Sequence, residues 1–370
     1  MRPAPAFDRF KWTDAIAPWV VARLLIAVSY VAAESVAAGS TDAELHVRVN
    51  RGLAVWDGDW YRQILASGYD GIPAEARRFF PFYPIVAKGV SWLTFGNGPL
   101  ALAIVANGFA LVAMVLLGRL VLDVTSDSDL ARRSVWWLAL FPSSAVLVMS
   151  YGESLALTLS LGALLCLRKD RWGLAALFSI GASLTRPVGV LMVVPILFEL
   201  WDRRDDIRGV FPLTKAAGVL ASPFIGLGLY LLWVEGHFGN GMEPIEIQGR
   251  LRAGLQDPFT RLWDAIVLTL RESQLDAPNL AFALGFIVLL ALMVRRLPLG
   301  WSAFALVTLL VSLSAHNIDS IGRYGIMAFP FVVGLATLID TERRTTIALA
   351  LSSGGLVALT IMSLVGTYTP

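Results

Sequence analysis

The stretch "FFPFYPIVAKGVSWLTF", residues 80–96, is apolar enough to pass for a membrane span, and the path of everything after it turns on whether it crosses. Crossing takes roughly 20 apolar residues to cover about 30 Å of hydrocarbon. Here Pro81 and Pro84 remove backbone donors, and aromatic residues crowd the first half. That composition suits an interfacial or re-entrant helix, not a full crossing. With 80–96 kept from crossing, spans fall near 16–38, 99–122, 134–150, 152–168, 172–184, 187–200, 214–234, 280–294, 299–315, 324–340 and 345–366. The expected fold is an all-α polytopic membrane protein of about 11 transmembrane helices.

The basic residues test this arrangement, because they concentrate on the inner side of a membrane. With the N-terminus inside, the inner connections hold Arg2, Arg9 and Lys11; Arg132 and Arg133; Arg168, Lys169 and Arg171; Arg203, Arg204, Arg208 and Lys215; Arg295 and Arg296; and Arg343 and Arg344. One more crossing at 80–96 would reverse every later loop. The same count requires 172–200 to go out and come back as two short helices broken at "TRP", residues 185–187. Broken backbone of this kind is tolerated where it lines a polar cavity instead of lipid. The outer face then receives a long first loop, 39–98, the turn "YGES" at 151–154, the break at Arg186, a second long loop, 235–279, and "SAHNIDSIGRY" at 314–324.

Composition agrees. The 370 residues are 56% hydrophobic and 16% charged, with a mean hydropathy of +0.66, which is membrane-protein composition. The net charge of +2 comes without a basic tract interleaved with aromatics, so nothing points to a nucleic-acid partner. The single cysteine, Cys166, excludes an internal disulfide and a cysteine-built metal site. "MRPAPAFDRFKW" leads into a long apolar segment without a small-residue cleavage site and reads as preceding a retained first span. No repeat or soluble linker is visible, so residues 1–370 read as one integral-membrane domain.

The first outer loop carries "AVWDGDWYRQILASGYDG", residues 54–71. Trp60, Tyr61, Ile64 and Leu65 recur at helical spacing, which predicts a short amphipathic helix in the interface. Asp59 is placed to cap it, with catalysis or metal binding as the alternative. Asp57, two residues further out, reads either as an interfacial acid paired with an arginine or as a reactive carboxylate.

"WDGDWYRQILASGYD" followed by "RRFFPFYPIV" resembles the Trp-Asp-x-x-aromatic-Tyr…Ile-Ala…Gly-Tyr…Phe-Phe-Pro-x-Tyr-Pro pattern of the PIG-V-like mannosyltransferases, integral-membrane glycosyltransferases of the GT-C type. "SLTRPVGVL" and "GRYGIMAFP" resemble that family's Thr-Arg-Pro and Arg-Tyr-x-x-x-x-Phe-Pro elements. Gly58 stands where the family often has alanine, Leu65 replaces the usual residue before Ala66, and loop 235–279 matches no known element. The resemblance implies a GT-C-like fold, a lipid-linked donor, usually polyprenyl-phosphate mannose, and a catalytic aspartate in the first outer loop. By position that aspartate is Asp57.

Glycosyl transfer to a hydroxyl needs a carboxylate to take the acceptor proton and cations to stabilise the leaving phosphate. Asp57 is the expected base of a single inverting displacement. Arg323 first, then Arg186 and Arg78, are the expected phosphate contacts, since guanidinium matches phosphate bidentately. Asp59 and Glu153 are candidate second carboxylates, each with a capping or ion-pairing alternative. Trp56, Trp60, Tyr61, Tyr83 and Tyr324 are expected along a substrate groove. His237 and His316 are isolated, which disfavours zinc. No cofactor is expected; a divalent ion held by Asp57 and Asp59 fits the residue types but is not favoured. The expected partners are a polyprenyl-phosphate sugar donor, a lipid or glycan acceptor and membrane lipids. Alanine, valine and arginine usage fits a GC-rich bacterial source, hence a bacterial cytoplasmic membrane with the active site on its extracytoplasmic side. The competing reading is a transporter or flippase for a lipid-linked sugar. Such proteins carry ionisable residues mid-span in repeated halves, whereas here those residues sit at span ends.

Overall fold

The computed structural model describes residues 10–205, 209–251, 254, 256–271, 277–315 and 318–370. Arg2, Arg9, Arg208 and His316 lie outside these. The described residues form 17 α-helices and no β-strand. After α1 (Ile16–Ala38), the first long loop holds three short helices, α2 (Ala43–Asn50), α3 (Asp57–Ser67) and α4 (Phe82–Ser91). Then come α5 (Gly98–Thr125), α6 (Ser128–Leu140), α7 (Glu153–Arg168), α8 (Trp172–Thr185), α9 (Val193–Asp202) and α10 (Val210–Phe238). The second long loop carries α11 (Glu243–Leu251) and α12 (Pro258–Arg271), followed by α13 (Ala277–Met293), α14 (Leu299–Leu313), α15 (Ile321–Met327), α16 (Pro330–Leu338) and α17 (Glu342–Val365).

Four of these are long and apolar enough to cross a membrane: α1 with the turn before it, α5, α10 and α17. The pair α15–α16 makes a fifth if its 81° bend is taken within one span. This departs from the eleven unbroken spans expected, for reasons visible in the backbone. The run 134–150 is not one helix. Proline disfavours helical backbone in the residue before it, and Phe141, before Pro142, is extended at φ −61°, ψ 144°, so α6 stops at Leu140. Residues 141–152 follow as buried irregular chain around a single 3₁₀ turn, Ser144–Leu147. The run 324–340 bends at Ala328–Phe329, ahead of Pro330. At ten residues, α4 is about 15 Å long and too short to cross.

The hairpin expected at 172–200 is present. Arg203, at the end of α9, donates to the carbonyls of Leu167 and Arg168 just before α8, at 2.8 and 3.1 Å. The two limbs therefore start and finish together. At the tip, Gly189 lies so close to the α8 backbone that a Cβ there would sit 2.5 Å from the Ala182 carbonyl carbon. Ion pairs gather at the base of this hairpin and the neighbouring helix ends: Arg168 with Asp123 and Glu199 at 2.6 and 3.0 Å, Arg203 with Asp170 at 3.1 Å, and Arg132 with Asp14 at 3.4 Å. Charged residues at the ends of α5, α6, α7 and α9 thus pair at one end of the bundle. The first loop and the break at Arg186 meet at the other end. Large apolar side chains left exposed along α1 (Leu24, Val28, Val31) and α10 (Leu229, Leu232) are surface that lipid would cover.

Candidate active site

Asp57 is the first residue of α3 and Glu153 the first of α7. Both carboxylates therefore sit at helix N-termini, where unpaired N–H groups favour negative charge. Asp57 is set by an unusual turn. Trp56, before it, has φ +54° and ψ −120°, a conformation that costs a non-glycine residue about 1–3 kcal/mol. Its ring is pinned on both sides, the indole N–H donating to the Ser363 carbonyl at 3.0 Å and the Arg48 guanidinium lying 5.1 Å over the ring. Packing against the end of α17 thus supports the strained turn that aims Asp57.

Two guanidiniums reach Asp57 from distant parts of the chain. Arg323 Nη1 donates to Asp57 Oδ2 at 2.5 Å and Arg186 Nη1 to the same oxygen at 3.4 Å. Both also face Glu153 Oε1, Arg186 Nη2 at 3.0 Å and Arg323 Nη1 at 3.4 Å. Glu153 is fully buried. Burial acts to raise the Asp57 carboxyl, but the guanidiniums of Arg323, Arg186 and Arg78, with the Arg323 hydrogen bond, outweigh it and hold the group down to about 2. Burial pushes the neighbouring Tyr61 phenol up to about 12, so it stays protonated.

These groups form the head of a cavity of about 590 Å³. Asp57, Tyr61, Arg78, Arg186, Arg323 and Tyr324 line that head, while the rest of the wall is mostly apolar, with Val188, Leu191, Leu227, Ile245 and Val311 beside Gln248 and Ser312. Arg78 is held 4.6 Å over the Phe79 ring. Its neighbour Arg77 turns away to pair with Glu243 and lies 3.7 Å over Phe238.

The cavity brings together Asp57, Arg78, Arg186, Arg323, Tyr61 and Tyr324, with Glu153 behind them. It leaves out the other expected residues. Asp59 does not cap α3, because the helix begins three residues earlier than its apolar spacing indicates. It binds Arg62 at 2.7 Å, Arg51 at 3.2 Å and Gln63 at 3.1 Å, away from the cavity. Trp56 faces α17. Trp60 stacks on Phe79 with ring centroids 5.8 Å apart, and Tyr83 is buried beside Tyr61 with its hydroxyl on the Leu102 carbonyl at 2.9 Å. His237 pairs with Asp70 at 3.0 Å on the surface. Among the described residues no three His, Cys, Asp or Glu side chains converge as a metal site would need.

Sequence reasoning missed Tyr151, whose ring lies 5.8 Å from the Arg323 guanidinium, and Gln248 of α11, which lines the cavity. It also passed over Arg23. Inside α1, this arginine donates to Asn107 Oδ1 at 2.9 Å and to the Leu147 carbonyl at 3.4 Å, while Asn107 donates to the Val148 carbonyl at 3.0 Å. The pair satisfies carbonyls of the irregular segment that delivers Tyr151 and Glu153.

No protein-family model matches the chain, and no match was found among curated proteins. Solved structures of the oligosaccharyltransferase of Archaeoglobus fulgidus are similar at low identity. The apo form aligns with a TM-score of 0.47 at 11% identity, over 95% of this chain and 56% of that one. The complex with an inhibitory peptide and a dolichol-phosphate aligns with a TM-score of 0.45 at 10% identity, over 84% and 52%. The complex with Zn and sulfate gives 0.43 at 12%, over 79% and 45%. The chain spans about half the length of those proteins, and likeness of this degree carries no argument about what it does.

Proposed function

We propose that the chain is an inverting membrane glycosyltransferase of the GT-C type. It moves mannose from polyprenyl-phosphate mannose to a hydroxyl of a lipid or envelope glycan acceptor at the extracytoplasmic face of a bacterial cytoplasmic membrane. One observation carries the reading: a single cavity has a carboxylate and three guanidiniums at its head and an apolar wall behind them. A phosphate on a prenyl tail needs that combination, and few soluble substrates do.

In the proposed reaction the acceptor oxygen attacks the anomeric carbon from the face opposite the phosphate. The C–O bond to phosphate breaks, and its electron pair leaves with the polyprenyl phosphate, stabilised by Arg323, Arg186 and Arg78. Asp57 takes the hydroxyl proton. The resemblance to PIG-V-like mannosyltransferases in the four patches around Asp57, Phe80, Arg186 and Arg323 favours mannose as the sugar.

The test is transfer of labelled mannose from synthetic polyprenyl-phosphate mannose to a lipid extract by the purified protein in proteoliposomes. Wild-type transfer that Asp57→Asn abolishes is the expected result. Equal transfer by both proteins removes Asp57 as base, and no transfer by either removes this donor.

A further inference from the structure

Glu153 touches the same two guanidiniums as Asp57, yet the two carboxylates are placed differently. Asp57 lines the cavity, whereas Glu153 is 0% exposed and does not. The four groups alternate in charge around a closed ring. Arg186 spans Asp57 Oδ2 at 3.4 Å and Glu153 Oε1 at 3.0 Å, and Arg323 spans them at 2.5 and 3.4 Å. An anion entering the cavity meets both guanidiniums from the side where Asp57 is its competitor. It does not meet Glu153, which is fully buried and lies outside the cavity lining.

We propose that Glu153 is a positioning residue, a fixed counter-charge that keeps Arg186 and Arg323 on the cavity wall while the donor phosphate displaces Asp57 from them. Donor binding then uncovers the base. The proposal rests on the phosphate-donor reading above and adds an order to it: donor first, acceptor second. A guanidinium has five N–H donors in a fixed fork; Arg186 meets Asp57 through Nη1 and Glu153 through Nη2, and Arg323 meets both through Nη1, so each keeps further donors for a phosphate. Without Glu153 nothing opposes the pull of Asp57 on both arginines, and they close over it instead of waiting for the donor. Glu153 suits this duty because it is anchored at the start of α7, against the buried segment that Arg23 and Asn107 hold.

The test exploits a symmetry. Asp57→Asn and Glu153→Gln each remove one negative charge from the same two guanidiniums, so undirected electrostatics predicts that both tighten anion binding equally. The positioning role predicts opposite signs. Binding of a short-chain polyprenyl phosphate to protein in nanodiscs should tighten about tenfold in Asp57→Asn and weaken about tenfold in Glu153→Gln. In transfer assays Glu153→Gln should raise the donor KM as well as lower kcat, a combination that loss of the base alone does not give. Glu153→Asp, which keeps the charge but draws it back by one methylene, should fall between wild type and Glu153→Gln. It also serves as the deciding variant if the glutamine protein does not fold. Tightening in both single variants, or wild-type binding in Glu153→Gln or Glu153→Asp, overturns the proposal. Wild-type protein that does not bind polyprenyl phosphate at all brings down the donor reading itself, a result distinct from either of these.

Discussion

At the residue scale the decisive group is Asp57, held at about 2 against the burial that would raise it. With its folded value below the ordinary 3.8, the carboxylate's ion pairs contribute their full stabilisation above about pH 3.8 and lose it as pH falls through about 2. The free protein therefore keeps Asp57 ionised across the working range. Because kcat/KM reports the free enzyme, its pH profile for the donor should show no acid limb above about pH 4. An acid limb near pH 6 that vanishes in Asp57→Asn contradicts this assignment. Asp59, tied to exposed arginines by pairs worth about 0–1 kcal/mol, should tolerate Asp59→Asn with transfer within about threefold of wild type. The sequence distinguished Asp57 from Asp59 but misjudged why. Apolar spacing started the helix at Trp60, whereas a positive φ at Trp56 starts it at Asp57, and no local preference of tryptophan foretells that backbone. Arg23 was equally illegible. A lone arginine in an apolar run looks like a residue reaching for the interface, and its carbonyl partner lies 124 positions away.

At the element scale, the site depends on two breaks in helical structure. The first is the turn after α8, where Gly189 packs on the Ala182 backbone. Gly189→Ala places a methyl group against atoms that cannot move aside. It should displace Arg186, lowering transfer at least tenfold and destabilising the protein by about 1–3 kcal/mol, read as a lower melting temperature in detergent. The second is the irregular segment 141–152, whose carbonyls Arg23 and Asn107 satisfy. Arg23→Met removes the donor to Asn107 Oδ1 and leaves the Leu147 carbonyl with Ser154 alone, and should cost about 1–3 kcal/mol by the same measurement, whereas Arg23→Gln should recover part of it. The first break was readable, because the arginine count demanded a return at "TRP". The second was not. The run 134–150 is apolar throughout, and Pro142 alone marked the point where α6 would end. Irregular chain survives there because side chains from α1 and α5 serve its backbone, a tertiary fact that a window of sequence does not contain.

For the whole molecule, the placement of charges at one end and the cavity at the other predicts sidedness. In a Cys166→Ala background, cysteines at Thr41 and Ser126 should be labelled from opposite sides of sealed vesicles. Labelling from the same side would mean that 80–96 crosses. The hairpin of α8 and α9 bears on how such a protein is made. Limbs of 14 and 10 residues are each shorter than the roughly 20 needed to rest across a bilayer alone. In the proposed orientation neither can be released into lipid before the other has left the ribosome. They must leave the insertion channel as one unit, carrying at the leading tip an arginine whose passage through hydrocarbon is penalised by about 2.5–3.5 kcal/mol. Glu153, the first residue of α7, is synthesised before Arg186. An acidic partner is therefore already in place on the far side when that arginine arrives, and assembly of the ring of Asp57, Arg186, Glu153 and Arg323 begins during synthesis.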